Sequence, residues 1–195
     1  TSDDDSSEGE AEPSQEVEPA TSPDQQAESS APAEITTASR FSTSDVPAYS
    51  GKAYTSVNGN VPYFSAAELT TQSFETYSDL DSLGRCGVTY ACIGKDLMPT
   101  EERGSIGMVK PTGWHTVRYD DLVDGKYLYN RCHLIGYQLT GENANTKNLI
   151  TGTRYLNIEG MLPFENMVAD YIQETNNHVL YRVCLLYTSD AADDK

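Results

Sequence analysis

The chain has 195 residues, with 13 Lys and Arg against 30 Asp and Glu, for a formal charge of −17 at pH 7. That length allows one domain of ordinary size. The sequence has neither a signal-type apolar segment nor a run of 18 apolar residues, so no membrane-spanning helix is expected within it.

The charge is unevenly distributed. Residues 1–39 hold 11 acidic side chains and no Lys or Arg, Arg40 to Val183 hold 12 bases and 16 acids, and residues 184–195 hold three acids and one base. The partition is therefore −11, −4 and −2. Residues 1–44, rich in Ser, Glu, Pro, Ala, Asp and Gln, lack the large apolar side chains needed to offset chain entropy, and read as a disordered acidic tether. An acidic tail that competes with nucleic acid is the functional alternative. The chain opens at Thr1, so an export signal or anchor is expected upstream of it.

A folded domain is expected over 45–183. Ala53–Val57 and Asn60–Phe64 flank Asn58-Gly59, a hairpin signal, with Pro62 restricting the second arm to a sheet edge. Ser65-Ala66-Ala67-Glu68 is a capping box for a short helix. Phe74, Tyr77 and Leu80 carry an apolar face towards Leu83, and Val88 to Ile93 reads as a central strand. Arg103-Gly104-Ser105-Ile106-Gly107 reads as an ordinary loop. Trp114 to Tyr119 reads as a strand with Trp114 in the core; stacking on a base is the other use of such a ring. His115 and His178 lie in probable strands with no partnered motif and read as surface or structural residues.

After the turn at Asp124-Gly125, Tyr127 to Asn130 alternates like a strand, and Arg131 and His133 then share a face. Imidazole titrates near neutrality, with an unperturbed pKa of about 6.5, and guanidinium is a planar fork suited to phosphate. Together they suggest phosphodiester hydrolysis. Gly141 to Asn157 is crowded with amides and two more cations, Lys147 and Arg154. Thr151 to Asn157 reads as a short helix. Phe164, Met167, Val168, Tyr171 and Ile172 then follow an amphipathic helical period, with Pro163 in the first turn and Asn176-Asn177 at the end. His178 to Val183 starts a strand.

Asn130-Arg131-Cys132-His133-Leu134-Ile135-Gly136, followed by Lys147-Asn148, Asn157 and Glu165, closely resembles the DNA/RNA non-specific endonucleases of the ββα-metal type, especially secreted nucleases of Gram-positive bacteria. The resemblance runs from about Tyr49 to Val183. It departs from the usual Asp-Arg-Gly-His signature at Asn130, where Asp is usual, and at Cys132, where Gly is usual. It implies an α+β fold with a central antiparallel sheet carrying a ββα-metal finger. His133 would be the general base, Asn157 the protein ligand of one Mg²⁺ (with Mn²⁺ able to substitute), Asn148 the holder of a neighbouring hydrogen bond, and Glu165 the group orienting metal-bound water. Arg131 would contact a non-bridging phosphate oxygen. The substrates implied are DNA and RNA, cut with little sequence preference, with no stable protein partner and a secreted or cell-surface location. A nucleic-acid-binding module without catalysis is the alternative that Asn130 and Cys132 keep open. Lys110, Arg118, Lys126, Arg131, Lys147 and Arg154 are expected to line the groove, with Lys110, Lys147 and Arg154 binding substrate.

The four cysteines, Cys86, Cys92, Cys132 and Cys184, lack the paired short spacings of a zinc site. In an exported chain Cys86 and Cys132 either pair or remain buried thiols. A Cys132 nucleophile beside His133 is disfavoured because adjacent strand residues point to opposite faces. Residues 184–194 resemble a one-frame translation of a transposase mosaic-end sequencing adapter. The expectation is a non-native tail over 184–195, with the native chain continuing past Val183 and the last strand lacking its hairpin partner.

Overall fold

The computed structural model describes residues 46–121 and 125–187. The expected tether, Asp124 of the expected turn, and residues 188–195 of the tail lie outside the described residues.

The fold is α+β. A three-stranded antiparallel sheet has the order β1 (Phe74–Tyr77), β2 (Thr89–Ile93), β5 (Val179–Val183). The expected central strand is thus central, and Ala91, Cys92 and Ile93 are fully buried in it. A two-stranded antiparallel finger pairs β3 (Tyr129–His133) with β4 (Leu149–Thr153), in register from Tyr129 opposite Thr153 to His133 opposite Leu149. The loop between them carries the short helix α1 (Tyr137–Thr140). From β4 the chain turns helical at Arg154, passes through a wide turn at Leu156–Met161 and continues as α2 (Leu162–Thr175).

α2 begins where Pro163 needs no amide partner and stops at Asn176, whose φ of 55° places it in the left-handed region that closes helices. Its buried stripe is Glu165, Val168, Ala169 and Ile172. With Ala91, Ile93, Ile135 and Leu139, the three apolar residues of that stripe form the core. Burying each of the larger aliphatic side chains removes roughly 1.5–3 kcal/mol of apolar exposure. The helix is rotated relative to the sequence expectation: Met167 is 60% exposed and Phe164 and Tyr171 also face outward, because the slot against the sheet admits the narrower face built around Ala169. That rotation carries Glu165 inward.

The capping box forms as expected, with Glu68 accepting from the Ser65 amide and hydroxyl at 2.7 Å, around a single short turn. Arg182 of β5 reaches Glu68 at 2.7 Å and stacks over Phe64, which fastens this segment to the sheet. Two strand expectations and one helix expectation fail. Asn58-Gly59 makes only a tight turn, with no ladder on either side, because its arms meet no sheet. Trp114 to Tyr119 supplies one isolated bridge, Arg118 to Tyr127, instead of a strand. Thr151 to Thr153 belongs to β4, so the helix starts later than its residues suggest. Among the described residues no helix is long and apolar enough to cross a membrane. Tyr187, within the expected tail, donates to the Cys86 carbonyl at 2.8 Å and lies 4.2 Å from the Arg85 guanidinium, so this part of the chain packs against the domain.

Candidate active site

Alternation along β3 sends Arg131 and His133 to one face and Cys132 to the other. His133 is only 6% exposed. Its Nε2 lies 2.7 Å from the Asn143 carbonyl, an oxygen that only accepts, so the neutral ring carries its proton on Nε2 and Nδ1 is the accepting nitrogen. Nδ1 has the Arg103 guanidinium at 3.5 Å. Burial first, and Arg103 second, push the His133 pKa below its ordinary value, against a backbone contact to Asn143 that raises it. Burial and Arg103 thus both favour the neutral ring over the protonated one.

Asn143 is itself tied down. Its side-chain amide donates to the Ser105 carbonyl at 3.2 Å. A Cβ on Gly104 would meet the Asn143 amide nitrogen at 2.9 Å, so glycine is what lets the 103–107 loop sit against the residue that holds His133.

Below the strand end, Asn148 is fully buried. It accepts from the Ile135 amide at 2.8 Å and donates to the Ile135 carbonyl at 2.9 Å, and its own carbonyl accepts from Leu134 at 2.9 Å. It is a bracket that fixes the backbone after His133 and does not line the cleft. Cys132 points away from the cleft: a Cβ on Gly152 would meet its sulfur at 2.7 Å. Burial pushes its thiol up to about 12, too high for a nucleophile. Cys86, Cys92 and Cys132 are all buried free thiols, so Cys86 and Cys132 do not pair.

Two adjoining cavities run along the β3 face. The inner one, about 330 Å³, is lined by His133, Arg103, Arg131, Gly136, Asn157 and Glu165 among others. The outer one, about 560 Å³, shares Arg103, Arg131 and Asn157 and adds Trp114, Tyr127, Tyr129 and Arg154. A third, about 310 Å³, lies beside Cys86 and Tyr187 away from these groups. Glu165, brought inward by the rotation of α2, is 9% exposed. Burial raises its pKa to about 7, partly offset by Arg103. A Cβ on Gly136 would come within 2.5 Å of the Glu165 carboxylate oxygen, so the carboxylate lies directly on the Gly136 backbone.

The structure thus gathers His133, Arg131, Asn157 and Glu165 in one cleft, with Arg154 on its outer part. Lys110 and Lys147 line neither cavity. Lys147 binds Asp79 at 2.6 Å, and Arg118 and Lys126 share Asp120, so the expected basic stripe is largely paired elsewhere on the surface. Arg131 also differs from expectation. It donates from Nε to the Val109 carbonyl and from Nη2 to the Gly107 carbonyl at 2.9 Å, while its guanidinium lies 3.7 Å from the Trp114 ring. Half of its fork anchors the 107–114 loop. Trp114 is accordingly a half-buried cleft residue, not core. Arg103 was missed, and no periodicity or spacing in its loop distinguishes it; the neighbouring glycines were the only signal.

The family model for DNA/RNA non-specific endonucleases matches residues 65–193. The chain belongs to this family. The match extends over the segment expected to be non-native. Two solved structures of the NucA nuclease from Streptococcus agalactiae resemble this endonuclease-family chain. The magnesium-bound form has a TM-score of 0.54 at 24% identity, over 63% of this chain and 60% of the other; the metal-free form has 0.52 at 24%, over 64% and 61%. The endonuclease-family chain therefore spans about 60% of the length of those structures, and the likeness establishes the fold. No curated protein sequence matches it.

Proposed function

We propose that the cleft hydrolyses phosphodiester bonds in DNA and RNA with little sequence preference, in the presence of a divalent cation. The observation that carries this reading is the buried, neutral His133, with Nε2 held by a backbone carbonyl and Nδ1 facing a cleft that holds Arg103, Arg131, Asn157 and Glu165. Nδ1 takes a proton from the attacking water as the new oxygen–phosphorus bond forms, and the leaving oxygen departs with its bonding pair and is protonated from solvent. Arg103, and the donors of Arg131 not engaged by the 107–114 loop, hold the phosphate oxygens.

The residues fit a hard cation. Among the described residues there is no group of three or more His, Cys, Asp or Glu that could hold a metal. Asn157 and Glu165, however, offer oxygen donors across the inner cavity, which suits Mg²⁺ or Mn²⁺, ions that keep several waters and take one or two protein oxygens. Asn157 would hold the ion and Glu165 would orient its hydration. Once bound, the ion supplies positive charge against the phosphate. NucA, a fold relative, binds magnesium in its crystal structure. An extracellular site of action belongs to the same proposal.

Cys132 faces away from the cleft, so its departure from the usual glycine leaves the cleft face unobstructed, whereas Asn130, the other departure, lines the outer cavity, and the binding-only alternative rests on it. Digestion of plasmid and RNA with Mg²⁺, with EDTA, and with His133→Ala tests the reading. Cleavage that both EDTA and the substitution abolish is expected. Nucleic-acid binding with no cleavage in any divalent metal would replace the enzyme reading with the binding module.

A further inference from the structure

The outer cavity is larger than the inner one and chemically different from it. Among the described residues its lining contains Trp114, Tyr127 and Tyr129 together with three arginines, Arg103, Arg131 and Arg154, and no carboxylate. That sign is notable in a domain of net charge −4. The cavity is continuous with the inner one through Arg103, Arg131 and Asn157.

The arrangement follows from the strand. Within β3, Tyr129, Arg131 and His133 succeed one another at every second residue, so they project from one face at steps of about 6.8 Å, while Tyr127, bridged to Arg118 just before the strand, lines the same cavity. Ring, guanidinium and imidazole therefore form a row that ends at the proposed base, with the Tyr127 ring on the same cavity. The components are held in place. Arg131 is clamped to the Gly107 and Val109 carbonyls and lies on Trp114; the His115 ring packs 4.5 Å from that of Tyr129. The Arg154 guanidinium lies over Gly125, whose φ of +77° and missing Cβ, which would sit 3.0 Å from the guanidinium carbon, give it room. Tyr127, in contrast, is 48% exposed, presenting ring surface to the cavity and to solvent.

We infer that this aromatic and cationic cavity is a nucleoside subsite, which takes an unstacked base next to the scissile phosphate and makes unpaired strands the preferred substrate class. The inference rests on the proposed phosphodiesterase reading. Every base has a π-face, so stacking on Tyr127 and its neighbours is indifferent to sequence, while arginines follow the backbone on either side. In a duplex those faces are covered by neighbouring base pairs, and the same contact then requires unstacking.

The test uses a labelled oligonucleotide with one cleavable phosphodiester among nuclease-resistant linkages, as a single strand, as a hairpin duplex of the same sequence, and with an abasic unit beside the scissile bond. Wild-type kcat/KM on the single strand should exceed that on the duplex by about tenfold or more, the worth of one stacked base. Tyr127→Ala and the abasic unit should each lower kcat/KM by about tenfold, chiefly through KM, and their losses should overlap instead of multiplying. Tyr127→Phe, which keeps the ring, should retain the wild-type preference. Equal rates on single strand and duplex, or losses that multiply independently, would overturn the subsite.

Absence of cutting of every substrate with any divalent metal would instead overturn the phosphodiesterase reading. Fluorescence anisotropy in EDTA then still decides the subsite. Tighter binding of the intact strand than of the abasic strand, lost in Tyr127→Ala, supports it, and equal binding of both strands overturns it.

Discussion

Replacing Glu165 by Gln should stabilise the metal-free protein in alkaline buffer while giving no such benefit in acid. Glu165 is 9% exposed, and burial raises its pKa from an ordinary 4.5 to about 7. Below 4.5 the folded and unfolded chains both carry the proton and the carboxyl has no pH-dependent effect. Between 4.5 and about 7 the unfolded chain has lost its proton while the folded one retains it, so stability falls as pH rises; above about 7 the loss is complete. At about 1.36 kcal/mol per pH unit, that interval amounts to about 3 kcal/mol. The Gln side chain keeps the shape and never ionises. Urea denaturation followed by fluorescence, in EDTA at about pH 4 and about pH 8.5, measures the difference directly. The stability of Glu165→Gln relative to wild type should grow by about 3 kcal/mol between the two. A difference that stays constant with pH would refute the reasoning, because it would mean that ionising the carboxyl in its place on Gly136 costs nothing.

Arg103→Ala should lower kcat by about 100-fold, the scale for one lost preorganised donor. Because Arg103 helps hold the His133 pKa down, the acid limb of the pH–rate profile should also move to higher pH. In the wild type that limb should lie below the ordinary imidazole value, since the protonated ring has no lone pair left at Nδ1; a limb above it would contradict the burial of His133. Asn157→Asp should keep some Mg²⁺-dependent activity and Asn157→Ala none, as titration of rate against metal would show; undiminished metal dependence in the alanine variant would remove the ligand role. Asn148→Ala should cost about 2–4 kcal/mol in thermal or urea denaturation, because it strips two bonds from a buried amide and carbonyl of Ile135. Gly136→Ala should reduce activity with little loss of stability, since its Cβ would displace the Glu165 carboxylate; full activity would show that the carboxylate can move at no cost.

Most of the fold was legible where its signals are local. β2 was readable from its apolar run, and α2 from Pro163 at one end and Asn176 at the other, because capping and periodicity act within a few residues of chain. The same holds for the Ser65–Glu68 box. The set of His133, Arg131, Asn157 and Glu165 was legible through the family motif, and its convergence follows from the geometry of two paired strands running into a helix. What tertiary structure alone decided depends on which distant segment arrives beside which. Asn58-Gly59 makes its turn but no hairpin, because a strand exists only where a neighbour accepts its hydrogen bonds. Helical period allowed several faces of α2 to be buried, and the space left by the sheet selected the one that turns Glu165 inward. Lys147 is bound to Asp79, 68 residues away, because a cation pairs with the carboxylate that folding brings near, at any separation in sequence. Arg103 and Trp114 sit in a loop with no periodicity to read. Their place in the cleft follows from a glycine resting on Asn143 and a guanidinium reaching back from β3.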